Sequence, residues 1–375
     1  VTFKNNYLIH PFEICVCGYS GSGKTTLISK MITELSKSRR VGYIKHDAHR
    51  FEMDKEGKDT YIAKKSGAFQ VSINSDTEFA FISNPIEDRF FLKNLYLDCD
   101  TVIIEGHKLS LLRKVFIYTG SDEDRALLQE YRSNESLSLL AVVGLSNDRP
   151  IEIGDLPYFH RDDLSGILNF LSNFFAEIIE NTPVYGLVLG GGKSTRMGSD
   201  KGKLVYHGKS QVEYLYELLD SKLQKTYISC RDSQSEYDFN FETIKDKFLD
   251  YGPTGGLLSA FEFNSDVAWL VVACDMPFIN DQTINDLLKR RNPFRLASCF
   301  HNDERKWPEP LCSIYEPKAK VRLGNYLLQG KPCPRKVLMN SHIELLTPLN
   351  KKSLNNINTP KEYQVALSEL AGDSN

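Results

Sequence analysis

Residues Phe12–Ser38 read FEICVCGYSGSGKTTLISKMITELSKS, and this run decides the fold of the first half of the chain. FEICVCG is a short apolar run that stops at glycine, as a buried strand does. After it, Leu27, Ile28, Met31, Ile32 and Leu35 recur at helical spacing and share one face. Between strand and helix, Gly18 to Thr25 satisfies every fixed position of G-x-x-x-x-G-K-[ST]. Glycines let the backbone wrap phosphate oxygens with its N–H groups pointing inward. The helix N-terminus adds positive potential. Lys24 is placed to reach the β- and γ-phosphates and Thr25 to ligate Mg2+. The nucleotide-binding candidates here are Gly18, Ser20, Gly21, Ser22, Gly23, Lys24, Thr25 and Thr26.

Such a loop needs carboxylates for its metal and its water. Asp47 closes the strand VGYIKHD, and Glu105 closes TVIIEG, an acid at the tip of an apolar strand. Each either joins the Mg2+ shell, orients water, or faces solvent as an ordinary strand-end acid. His46 and His49 serve a local turn as readily as a ligand contact. LSLLAVVG reads as a further strand, and DDLSGILNFLSNFFAEII as a closing helix capped at Asp162 or Asp163. ENTPVYG, with Pro183, then marks a short linker.

A second glycine-rich loop follows at LVLGGGKSTRMGSDKGKL, Leu187–Leu204, and it does not fit the first pattern. After Leu189, Gly190, Gly191 and Gly192 come Arg196 and Lys201. That combination suits nucleotidyl transfer. The triphosphate bends round a backbone loop, and Arg196 and Lys201 neutralise charge building on the α-phosphate and the leaving group, work that costs about 10²–10³ in rate when one group is lost. Asp275 follows the strand AWLVVA, over the crevice where α/β ligands bind, and is the candidate Mg2+ ligand. Arg196, Lys201 and Asp275 are thus the catalytic candidates. Asp246 is a candidate base or ribose contact, and Gly255 or Gly256 a place for close ligand approach. QVEYLYELLDSKL and TINDLLKRR read as helices and KTYISC as a strand, giving a second, mostly parallel sheet covered on both faces. The expected fold class is α/β with two domains: a P-loop NTPase-like sheet over 1–178, then a Rossmann-like nucleotidyltransferase sheet with helices on both faces over 183–375.

The composition agrees with two soluble domains in 375 residues, with 41% hydrophobic and 25% charged residues. A net charge of -3 argues against a nucleic-acid partner, and no apolar run is long enough for a membrane span. The eight cysteines form no CxxC pair or zinc spacing and read as reduced thiols, with Cys15 and Cys17 buried on one strand face. The first residues lack a signal peptide's apolar core, so a cytoplasmic setting is expected.

Two resemblances sharpen this reading. GYSGSGKTTL, GYIKHDAHRFEMDKEGKDT and DTVIIEGHK resemble the small GTP-binding accessory protein of molybdopterin guanine dinucleotide synthesis, over most of residues 10–175. That resemblance implies GTP binding with at most slow hydrolysis. LGGGKSTRMGSDKGKL, DYGPTGGL, ACDMPFI and NINTPKEY resemble the molybdenum cofactor guanylyltransferase, over residues 183–370. It implies transfer of GMP from GTP to Mo-molybdopterin with release of pyrophosphate, Mg2+ dependence, and molybdoenzyme apo-proteins and chaperones as partners. The family's usual Leu-Ala-Gly-Gly is Leu189 to Gly192 here, and the asparagine it often carries after its second strand is replaced near Ser229, a nucleotide contact by that position. Trp307, Pro308 and Pro310 fall where that family receives its pterin, and Arg335 and Lys336 where the pterin phosphate is met. Two other readings stay open: a GTP-switched carrier or adaptor of the cofactor, and a cytidylyltransferase or sugar-nucleotide pyrophosphorylase. The related cytidyl enzymes usually read Leu-Ala-Ala-Gly, so the glycine-rich start leans to guanine.

Overall fold

A computed structural model describes residues 9–46, 53–84, 89–190, 201–231, 241–302 and 306–372. Contacts divide the chain into two compact units. Asn6–Tyr96 with Thr101–Ile167 form one, and Leu168–Asn375 with Leu97–Asp100 belong to the other. Both are α/β, as expected.

The first unit has a six-stranded sheet. Across it run Val41–Lys45, Thr101–Glu105, Glu13–Cys17, Lys114–Tyr118, Leu139–Gly144 and Tyr158–His160, every adjacent pair parallel. The three strands Thr101–Glu105, Glu13–Cys17 and Lys114–Tyr118 are buried along their whole length, as parallel strands covered on both faces are. The loop that wraps phosphate therefore leaves a central strand. Its helix, Lys24–Leu35, buries Leu27, Ile28 and Met31, the face that the spacing predicts. The helix Leu164–Glu180 begins after Asp163, whose carboxylate accepts from the Gly166 N–H at 2.9 Å. A hairpin, Gln70–Asn74 with Phe79–Ser83, and the helix Asp59–Lys65 stand outside the sheet and bury no residue fully.

The second unit has seven strands in the order Thr243–Lys245, Thr226–Cys230, Val184–Leu189, Ala268–Ala273, Pro308–Tyr315, Ala297–His301 and Glu344–Leu346. All neighbours are parallel except Pro308–Tyr315, which runs antiparallel to both of its partners. Side chains alternate between faces. Val188, Ile228, Leu270 and Val272 pack on one face against Val212, Leu215 and Leu219 of the helix Gln211–Asp220. Leu187, Tyr227, Trp269 and Val271 pack on the other against Leu257, Leu258 and Phe261 of the helix Pro253–Phe263. All eight cysteines are free, with Cys15 and Cys17 buried.

Candidate functional sites

The first site is built where the strand Glu13–Cys17 gives way to its loop. Gly18 has φ +153°, and a Cβ there would lie 2.9 Å from Ser22 Oγ and 3.0 Å from the Ile117 carbonyl, so no side chain fits. The chain turns again through Gly23, at φ +91°, straight into the helix. Lys24 Nζ donates to the Tyr19 carbonyl at 2.6 Å. Burial, with Lys108 and Lys45 nearby, pulls the Lys24 ammonium below the usual lysine range, and Glu105 opposes that shift. Crowded ammonium groups of this kind are relieved by a polyphosphate.

Register brings the acid in. Val16 lies beside Glu105 in the parallel pair, so the carboxylate ends up level with the loop. Glu105 is buried, and Thr25 Oγ1 donates to its two oxygens at 3.1 and 3.2 Å. Tyr43 Oη donates to Glu105 Oε2 at 2.7 Å. Burial first, and then that hydrogen bond, push the Tyr43 phenol up to about 12. Mg2+ is bound through one or two carboxylates plus substrate phosphates, and a hydroxyl beside a buried carboxylate is the donor set it takes at such a loop. The pairing of Thr25 with Glu105 fits that need. Asp47 lies outside the described residues, as does His49. His46 stacks on His107 with ring centroids 4.2 Å apart, and its backbone N–H donates to the Glu105 carbonyl at 2.9 Å. Sequence reasoning missed Tyr43 and Lys108. Lys108 sits over the Tyr19 ring, 3.7 Å from its centroid. Tyr43 was legible only as the residue two before Lys45 on a strand, hence on the same face.

The second site is a row across three parallel strands. Ser229 pairs with Leu189, and Leu189 with Ala273, so these residues stand side by side at the carboxyl ends. Gly190 continues from Leu189, and Asp275 stands two residues beyond Ala273. Gly191, Gly192 and Arg196 lie outside the described residues, and Lys201 opens a short 3-10 turn, Lys201–Lys203. Ser229 Oγ donates to Asp246 Oδ1 at 2.6 Å, joining two candidate contacts from neighbouring strands. Burial pushes the Asp246 carboxyl up, while Ser229 and Arg231 draw it back. The expected room for a ligand at Gly255 and Gly256 is occupied by protein. A Cβ on Gly255 would run into the Phe248 carbonyl, and one on Gly256 would lie 2.5 Å from Ser229 Oγ. Their glycines serve close packing of the helix on the sheet.

Glu309 joins this site unannounced by the sequence. It is the second residue of the strand Pro308–Tyr315, whose antiparallel register pairs Val272 with Cys312, and it lies close enough to Asp275 to feel its charge. Glu309 accepts from the Leu311 N–H at 3.0 Å and from Arg335 at 3.3 Å. Burial pushes its carboxyl up, and the Asp275 charge adds to that. Pro308 and Pro310 are buried in the strand, whereas Trp307 is 36% exposed and open to contact. Asp275 also accepts, through its carbonyl, the Ile357 N–H at 2.8 Å, which seats the NINTP stretch on the site. Among the described residues no group of three or more His, Cys, Asp or Glu forms a ready-made metal cage. A Mg2+ ion carried by substrate phosphates does not require one, and the Asp275 and Glu309 carboxylates fit it.

Residues 13–144 match the family described as Molybdopterin guanine dinucleotide synthesis protein B. Residues 186–344 match the MobA-like NTP transferase domain. The chain is 35% identical over 187 residues to the Molybdenum cofactor biosynthesis bifunctional protein of Synechocystis sp. (strain ATCC 27184 / PCC 6803 / Kazusa), 49% of this chain and 54% of that one. It therefore spans about half the length of that relative. It is 30% identical over 165 residues to the Molybdopterin-guanine dinucleotide biosynthesis adapter protein of Escherichia coli (strain K12), 42% of this chain and 90% of that one. It is 29% identical over 188 residues to the Probable molybdenum cofactor guanylyltransferase of Clostridium perfringens (strain SM101 / Type A), 47% of this chain and 92% of that one.

Proposed function

The chain belongs to the molybdopterin guanine dinucleotide synthesis protein B family through its first half and carries a MobA-like NTP transferase domain in its second, and from that premise we propose that it transfers GMP from GTP to Mo-molybdopterin. The observation that carries the reading is the row Ser229, Leu189 and Ala273, with Gly190 and Asp275 just beyond it. An oxygen of the pterin's phosphate attacks the GTP α-phosphorus, the bond from that phosphorus to the bridging oxygen breaks, and pyrophosphate leaves with the electron pair. No protein nucleophile is needed, so the chain's work is positioning and charge. Arg196 and Lys201 neutralise the α-phosphate and the leaving group, and Asp246 with Ser229 orients the nucleoside. Asp275 would hold Mg2+, which when bound would supply further charge neutralisation on the phosphate oxygens. Arg335 and Lys336 face the pterin phosphate in this reading.

The first half, over 1–178, is a GTP-binding adapter with slow hydrolysis, and the transferase occupies 183–375. In the adapter Lys24 meets the β- and γ-phosphates, and Thr25 with Glu105 and Asp47 holds Mg2+. The product passes to molybdoenzyme apo-proteins or their chaperones in the cytoplasm. Among the described residues no helix is long and apolar enough to cross a membrane.

The test is a product assay. The chain is given molybdate, molybdopterin, Mg2+ and either GTP or CTP, and the pterin product is weighed by mass spectrometry. A guanine dinucleotide is expected from GTP alone, lost in Lys201→Ala and retained in Lys24→Ala. A cytosine product would reassign the base, and no dinucleotide from either nucleotide would favour a GTP-switched carrier.

A further inference from the structure

A cavity of about 210 Å3 opens beside the first loop. The end of the loop and the start of its helix form one wall, with Ser22 and Thr26 on it, and Lys30, Ile117, Arg161 and Asp162 are among its other lining residues. Whole-ligand sites usually run to about 300–1,000 Å3, so this one has room for part of a nucleotide. Its position in the sheet says which part. The strand ending at Glu105 flanks the loop's strand on one side, and the strand ending near Ile117 flanks it on the other. The metal and γ-phosphate belong with Thr25 and Glu105. A triphosphate threaded through the loop then leaves past Thr26, on the opposite flank, and its nucleoside enters this cavity.

The turn after Tyr158–His160 is rigidly held. The Arg161 N–H donates to the Gly144 carbonyl at 2.9 Å. The Asp162 N–H donates to His160 Nδ1 at 3.3 Å, so that nitrogen is the acceptor and the ring proton sits on Nε2. Nε2 in turn donates to the Leu145 carbonyl at 3.0 Å. The His160 ring thus ties together the turns that follow two adjacent strands, and its Nδ1 also lies 3.8 Å from Asp162 Oδ2. Asp163 is committed to capping the next helix. Asp162 is the carboxylate at the cavity, 61% exposed at its rim and paired with Lys30 at 3.3 Å.

We propose that this cavity is a guanine-reading site and that Asp162 is its specificity-determining residue, an inference that rests on reading the first half as a GTP binder. Guanine presents N1–H and the N2 amino group side by side, and a carboxylate presents two acceptors to match them. Adenine turns a lone pair toward the same carboxylate and is repelled. Lys30, beside Asp162, donates to the guanine O6, and the stems of Lys30 and Arg161 with Ile117 cover the ring faces.

The experiment is hydrogen–deuterium exchange on the full chain, titrated with GTP, ATP or XTP in Mg2+. Protection is read locally in peptides covering 18–31 and 158–167, which separates this site from any nucleotide held by the second half. In the wild type, GTP is expected to protect both peptides at concentrations at least about 10-fold below ATP or XTP. Asp162→Asn is isosteric and exchanges one acceptor for a donor. It is expected to raise the GTP midpoint about 10- to 100-fold and to lower that of XTP, whose C2 carbonyl now meets an amide N–H. If GTP protects 18–31 but Asp162→Asn leaves the ranking of GTP and XTP unchanged, the assignment of Asp162 is overturned and the GTP-binding reading stands. If no nucleotide protects 18–31, or Lys24→Ala leaves that protection intact, the GTP-binding reading fails and this inference with it.

Discussion

Replacing Gly256 by alanine sets two effects of opposite sign against each other. Gly256 lies in the first turn of the helix Pro253–Phe263, where alanine is favoured over glycine by about 0.5–1 kcal/mol. Against that, the new Cβ would lie 2.5 Å from Ser229 Oγ and 2.9 Å from Leu189 Cδ2, closer than real contacts allow. Ser229 is buried, so its hydroxyl escapes only by rotating off Asp246, to which it now donates at 2.6 Å. A hydrogen bond to a charged group contributes about 1.5–3 kcal/mol, and crowding in a filled core costs about 1–3 kcal/mol. Crowding wins, with a net loss of about 2–5 kcal/mol. The assay is urea unfolding followed by tryptophan fluorescence. Both tryptophans, Trp269 and Trp307, lie in the second unit, so the signal reports that unit alone. A cycle with Ser229→Ala isolates the clash. In that background Gly256→Ala should cost at least about 1 kcal/mol less, because the atom it strikes is gone. A Gly256→Ala midpoint at or above wild type, or the same cost in both backgrounds, refutes the reasoning.

Four further outcomes follow. In the second unit Arg291 grips Glu316 with two bonds, at 2.7 and 2.8 Å, and the side chains are 12% and 3% exposed. Glu316→Ala should therefore cost about 3–5 kcal/mol in the same unfolding assay, and the joint replacement Arg291→Met with Glu316→Leu far less. Burial pushes the Cys299 and Cys312 thiols well up, so the stability they confer is full below their unfolded value near pH 8.5 and falls as pH rises beyond it. Each contributes a fall of about 1.4 kcal/mol per pH unit, and Cys312→Val should flatten the measured slope by that amount. Lys318 has the opposite sign: burial holds its ammonium down to about 8, so it adds stability as pH rises from there toward its unfolded value of about 10.4, and Lys318→Met should steepen the fall. In the first unit Tyr43→Phe removes one donor to Glu105 from a side chain already 38% exposed, where water substitutes. The GTP midpoint at 18–31 should then rise by less than about 10-fold, and by less than in Glu105→Gln, which removes the charge itself.

The two glycine loops were legible because each interrupts an apolar run at the point where a strand becomes a helix. What lay beyond them depended on contacts between distant strands. The strand Lys114–Tyr118 opens with a lysine, which breaks an apolar run, yet Lys114 is fully buried. Its ammonium is satisfied by the carbonyls of Leu112 at 2.7 Å and Leu137 at 2.6 Å, neither of which a local pattern reveals. The antiparallel strand Pro308–Tyr315 hides in the same way, because its first residues are proline, glutamate and proline. Missing it also hid Glu309, the second residue of that strand. The hairpin Gln70–Asn74 with Phe79–Ser83 carries apolar residues that stay exposed, among them Ile73 and Phe79, so burial-based patterning has nothing to find there. Asp162 could be read only as a helix-cap alternative to Asp163, since Lys30, its partner, is 132 residues away.

The two loops differ less in their glycines than in where each sheet puts its acid. In the first unit the acid comes from the neighbouring strand and is held by the helix that the loop itself begins, through Thr25. In the proposed reading, loop, helix and acid close round the β- and γ-phosphates from one side, and the nucleoside is left to the opposite flank. In the second unit Asp275 also follows the neighbouring strand, but Glu309, whose carboxyl feels its charge, comes from a strand running the other way. The antiparallel strand brings its own start to the crevice, and Glu309 with it, where a wholly parallel sheet presents only carboxyl ends. Arg335 is bonded to Glu309 and adds a cation to that cluster. In the proposed reading, acids beside the α-phosphate and a cation near them leave the second site open to a second, phosphorylated substrate, whereas the first loop encloses a single one. On that reading, the single reversed strand is the feature of the fold that separates a transferring site from a gripping one.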